Sequence, residues 1–101
     1  MTLHLVIHRP DAAPGTEAEG AIRAAMRDAV WEVADSHWSP CDEALLVSTD
    51  LSPDYLLAHF RKALAQRGHA EPGMLFVVPV GQAAAWSGLP ADAEAWLSET
   101  R

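Results

Sequence analysis

Cysteine is almost absent from this chain. Cys41 stands alone, which excludes an internal disulfide and any cysteine-based metal cluster. Flanked by Pro40 and Asp42, it is expected in an exposed turn, beside an acidic group that favours the thiol over the thiolate. Basic charge is scarce too. Seven Lys and Arg face fourteen Asp and Glu, the net charge is −7, and no basic run is longer than Arg61-Lys62. A broad grip on nucleic-acid phosphates, which needs clustered cations, is thereby disfavoured, although a local basic patch is still allowed. No apolar run approaches the roughly 20 residues of a membrane span. The N-terminus has no basic region followed by a long apolar stretch, so no signal peptide is expected and the expected compartment is the cytoplasm. Glycine-rich phosphate loops, dinucleotide fingerprints and nucleophile elbows are missing, and the lone glycines read as turns.

What is present suits one domain. Half of the 101 residues are hydrophobic and a fifth are charged, enough for one core over residues 1–101 and too little chain for two. The best-specified stretch is Ala44 to Gly68. Leu45, Leu46 and Val47 form an apolar strand that Thr49 and Asp50 close. Ser52 is placed as a helix N-cap with Pro53 at the first helical position, where a missing N–H loses nothing. Leu51 and Leu56 flank the cap as a hydrophobic staple. Leu56, Leu57, Phe60 and Leu64 then recur at helical spacing, and Gly68 offers a left-handed stop.

Before it, Leu3 to Ile7 reads as a short buried strand, and Arg9 to Gly15, with two prolines and a glycine, as a loop. Thr16-Glu17-Ala18-Glu19 has the form of a capping box and opens a helix with Ile22, Ala25, Met26, Ala29 and Val30 on its apolar face. Helical period would carry it to Val33. The β-branched and aromatic run Val30 to Val33 competes, however, and predicts a helix ending near Ala29 and a strand from Trp31 to Trp38. Ser39 to Glu43 then reads as a turn, His69 to Gly73 as another, and Met74 to Val78 as a buried strand. Beyond Pro79, the alanine-rich Gln82 to Trp86 leads to a last short helix over Ala91 to Glu99, with Ala93, Trp96 and Leu97 on one side; residues 80–101 form a C-terminal tail. The order strand, helix, strand, strand, helix, strand predicts an α+β, ferredoxin-like βαββαβ fold, a four-stranded antiparallel sheet with two helices on one face. If Trp31 to Trp38 is helical, a three-strand alternating α/β unit is the alternative.

Two stretches carry a family resemblance. Asp35-Ser36-His37-Trp38 followed by Leu46-Val47-Ser48-Thr49-Asp50-Leu51-Ser52 resembles the D-S-T-W…V-K-T-D-L-S run of small bacterial proteins labelled SinR-family. Leu75 to Val78, Ala85-Trp86-Ser87-Gly88-Leu89 and Trp96-Leu97 resemble their closing pattern. That group is similar to the small CRISPR-adaptation nuclease and to the GhoS antitoxin endoribonuclease. The resemblance implies a ferredoxin-like protomer that dimerises through its sheet. One position departs from it: the adaptation nucleases typically carry an aspartate at the end of the first strand, where this chain has Ile7-His8. Imidazole does not replace a hard oxygen ligand of magnesium, so Mg²⁺-dependent cleavage does not carry over.

His4 and His8 share one strand face but stand about 13 Å apart along it, too far to chelate one metal, and no cofactor or metal is expected. The topology instead draws His8 and Arg9 towards Asp35, His37 and the Asp42-Glu43 turn. Such a set suits metal-independent RNA cleavage, with a histidine as general base and arginine against the phosphorane. The plainer reading is a solvated rim with ordinary surface histidines. Trp31 and Trp38, flanking a strand, and Trp86 and Trp96, bracketing the tail, pin the tail, line a dimer or partner contact, or stack bases. The expectation is therefore a non-catalytic, homodimeric interaction or regulatory protein, with an antitoxin or defence-locus role implied by the resemblance. The alternative is an endoribonuclease working through the His8 rim. A small-molecule-binding regulatory domain is a third class, for which no residue marks a pocket.

Overall fold

The computed structural model describes residues 2–71, 73–81 and 85–100. It contains β1 (Thr2–Arg9), α1 (Glu17–Trp31), β2 (Ser36–Cys41), β3 (Ala44–Thr49), α2 (Pro53–Gln66), β4 (Met74–Pro79) and α3 (Ala91–Thr100). The strands form one antiparallel sheet in the order β2-β3-β1-β4. This is the ferredoxin-like α+β arrangement, with a third helix at the C-terminus. Pro72 and the alanine-rich lead at 82–84 lie outside the described residues. Among the described residues, no helix is long and apolar enough to cross a membrane.

Local signals explain most boundaries. Thr16 Oγ1 accepts from the Glu19 amide at 3.3 Å, and Glu19 Oε1 accepts from the Gly15 amide at 3.0 Å, so the box closes one residue ahead of the cap. Ser52 Oγ accepts from Tyr55 N at 3.1 Å. At the far end of α2, Gly68 adopts φ +89°. There Gly68 N donates to Ala65 O and His69 N to Leu64 O, the paired bonds of a Schellman stop.

The strand predicted over Trp31 to Trp38 is corrected. The helix runs on through Trp31, and Val33 and Ala34 both donate to the Val30 carbonyl. Burial decides it: Val30 joins Met26 and Ala29 in the core at helical period, and this outweighs the local β preference of the run. The strand starts at Ser36 and continues through Ser39 and Pro40, residues predicted to turn, leaving only Asp42-Glu43 at the corner. Pro40 is tolerated because β2 is an edge strand whose register shifts between Trp38 and Cys41.

Alternation along β1 sends Val6 into the core beneath α1 and α2, where Phe60, Met26, Leu56, Leu64 and Val47 complete the packing. Leu3, Leu5 and Ile7 point to the other face. Leu3 and Ser48 at one end of that face are nonetheless buried, as are Ala93 and Leu97 of α3, and none of the four belongs to the core cluster.

Candidate functional site

His4, Val6 and His8 share the inner face of β1, and His8 is only 2% exposed. Its backbone N–H donates to Glu43 O at 2.8 Å, which ties the strand end to the hairpin. On α1, residues four apart make a stripe: Glu19, Arg23, Arg27 and Trp31. Arg23 pairs with Glu19 at 3.4 Å and donates to the Asp42 carbonyl. On β2, His37 lies opposite Val47, which in turn lies opposite His4, so its ring is on the inner side of the sheet. The indole of Trp31 meets that ring edge-on, with centroids 4.3 Å apart and planes at 70°. Ser39 Oγ lies 2.7 and 2.8 Å from the carbonyls of Cys41 and Ala44 and donates across the irregular end of β2.

These elements enclose a cavity of about 120 Å³ lined by His8, His37, Arg23, Arg27, Ser39 and Asp42, with Met26 and Leu45 as its apolar wall. Both ring nitrogens of His37 are buried without a hydrogen-bond partner. Burial pushes its pKa below the usual histidine value, so the ring is neutral at pH 7. Arg27 makes no hydrogen bond or ion pair among the described residues. The space is well short of the roughly 300 Å³ at which pockets for drug-sized ligands begin. Among the described residues, no three His, Cys, Asp or Glu side chains are grouped to hold a metal ion.

Of the four residues proposed for catalysis, two are brought together. His8 and His37 line the cavity. Arg9 has the opposite parity on β1, is exposed, and pairs with Glu43 at 3.3 Å. Asp35 precedes β2, and its amide donates to Ser48 O at the opposite end of the sheet. Because β1 and β2 run parallel, with β3 between them, the start of β2 is level with Thr2 and about 20 Å from the level of His8. The carboxylate residue that lines the cavity with His8 is Asp42. The set His8, Arg9, Asp35 and His37 is thus not assembled as expected. His8 is also no surface histidine, so the solvated-rim reading does not describe it.

The tryptophans are divided. Trp31 is on a helix, 61% exposed, and not at a strand end. Trp38 has the opposite parity to His37 and faces outward, so Trp31 and Trp38 are on different sides of the sheet and cannot form one stacking platform. Trp86 and Trp96 are half-buried before and on α3, and both make side-chain contacts. Sequence reasoning missed Arg23, Arg27 and Ser39. The spacing of four between the arginines was a visible signal of a shared helix face.

A second surface is the outer face of the sheet. Beyond the end marked by the buried Leu3 and Ser48, it presents Ile7, Leu46, Trp38 and Val78, half-buried, with Phe76 at 54% and Met74 at 47% exposure. Comparison of the chain with family models, curated proteins and solved structures gave no match. Fold and sites together define a ferredoxin-like α+β domain with an apolar sheet face and a small basic cavity beneath its hairpin.

Proposed function

We propose that the protein is a non-catalytic, cytoplasmic interaction module in which two copies pair through the outer sheet face, in the manner of an antitoxin, regulator or defence-locus accessory. The observation that supports this reading is the apolar end of that face. Phe76 and Met74, each about half exposed, adjoin Ile7, Trp38, Leu46 and Val78 on one side of the sheet. Contiguous apolar surface of this kind is uncommon on a monomer and marks contact with another molecule. Sedimentation velocity is the direct test. The 10.9 kDa chain is expected to run as a dimer. Phe76→Asp is expected to run as a monomer with an unchanged circular dichroism spectrum, because residue 76 packs no core. A wild-type chain that stays monomeric at about 100 μM removes the proposal.

The endoribonuclease alternative has one observation in its favour, the shared cavity of His8 and His37. Against it, His8 is buried, the cavity is too small for a nucleotide, and Arg9 and Asp35 are elsewhere. An RNA and DNA cleavage panel with Mg²⁺, Mn²⁺ or EDTA is expected to give no product that disappears in His8→Ala. Cleavage that survives EDTA and is lost in that variant would restore the enzyme reading.

A further inference from the structure

We infer that the cavity beneath the β2–β3 hairpin binds a single tetrahedral oxyanion of the phosphate or sulfate class, held by Arg27, Arg23 and the ring of His37. The donor set, rather than the net charge, suits an anion. Two of the seven basic residues of an acidic chain converge here from one face of α1. Asp42 lines the same space, and Glu19 stands behind Arg23. Arg23 is already oriented, since Glu19 and the Asp42 carbonyl fix its guanidinium, so little side-chain entropy is lost when it meets a ligand. Arg27 is the uncommitted fork, and a guanidinium suits a tetrahedral oxyanion because it donates two parallel N–H groups.

His37 supplies the second argument. A buried imidazole with neither nitrogen partnered forfeits hydrogen bonds that water would give it. A neutral ring has one N–H to donate, and an oxyanion in the cavity accepts it. Size narrows the ligand further. At about 30 Å³ per water, the space is worth roughly four waters, enough for one such ion with a little water and too small for a nucleoside. A cation is disfavoured by the two guanidiniums and by the lack of a third grouped His, Cys, Asp or Glu ligand among the described residues.

The test is a titration of the full chain with inorganic phosphate, and separately with sulfate, at pH 7 and constant ionic strength balanced by chloride. It is read by nuclear magnetic resonance of the His37 ring and of the amides of Arg23, Arg27 and Ser39. A saturable shift at these residues is expected, with affinity at least tenfold weaker in Arg27→Gln and partly restored in Arg27→Lys. Residue 27 is exposed, so both variants should fold; Arg61→Gln, on α2, is expected to bind as the wild type does. Adenosine monophosphate tells the source of the anion. The same shifts would assign a phosphomonoester whose sugar stays outside, and their absence would assign the free ion. No saturable shift with either inorganic anion overturns the inference, as does equal binding by Arg27→Gln.

Discussion

Replacing Gly73 with alanine is expected to lower stability by about 3 kcal/mol or more, the combined scale of a strained left-handed residue and an overpacked contact. Gly73 has φ +90°, a region that L-residues with a side chain rarely occupy. A Cβ there would lie 2.6 Å from Asp11 N and 2.9 Å from Pro10 C, and closer still to Arg9 O. All three are backbone atoms, so no rotamer change relieves the clash. The chain leaving β1 must move away from the chain entering β4, where Arg9 and Met74 are paired. For a domain of this size the loss corresponds to a fall of about 15 °C in Tm. Gly15→Ala is the matched control: its φ is +78°, but nothing lies within 4 Å of the added carbon, so it carries the conformational strain alone. Urea melts of both variants would separate the two effects. Equal losses would show that close backbone approach is not what Gly73 provides.

Stability is expected to fall on mild acidification. His4 is 1% exposed on the inner face of β1, its Nδ1 has no partner, and burial holds its pKa below the usual value of 6.5. The pKa of His37 is lowered by the same cause. In the unfolded chain both rings take up protons near pH 6.5, while in the folded chain they resist. Above about pH 7 neither state is protonated and stability is flat. As the pH drops through 6.5 the unfolded state binds more protons and gains. The decline ends only when the pH passes the lowered folded values. One proton per ring sets an upper limit of about 1.4 kcal/mol per pH unit on the slope from each of His4 and His37. Urea midpoints at pH 7.5, 6 and 5 in phosphate-free buffer should show the fall, and His4→Leu should flatten it. Equal midpoints at all three pH values would mean that these rings are not held neutral.

Helix starts and stops were legible because they are written in neighbouring residues. Thr16 with Glu19, Ser52 with Pro53, and Gly68 each do in the structure what their chemistry predicts. The stretch from Trp31 to Pro40 was misread because tertiary context overrides local preference there. Val30 is needed in the core, which extends α1, and edge position makes Pro40 acceptable within β2. The candidate site was half legible for a related reason. The expected rim of strand ends is not what unites His8 and His37: His37 is the second residue of β2, level with His4, and shares with His8 only the lining of the cavity. Asp35 belongs to the start of β2, so strand direction removes it and leaves Asp42 in its place. Arg23 and Arg27 share a face by spacing alone, but that the face meets His37 follows only once β2 is positioned beside α1.

The irregular end of β2 has a consequence for assembly. A sheet with two regular, unprotected borders can be lengthened indefinitely, copy after copy, into a ribbon. Here one border carries Pro40, which lacks an N–H, and a register shift that breaks the regular spacing of donors and acceptors. Only the β4 border has an uninterrupted ladder behind it. Strand addition at the β2 border is thereby disfavoured, so copies paired through their sheet faces are not extended along that border into a fibre.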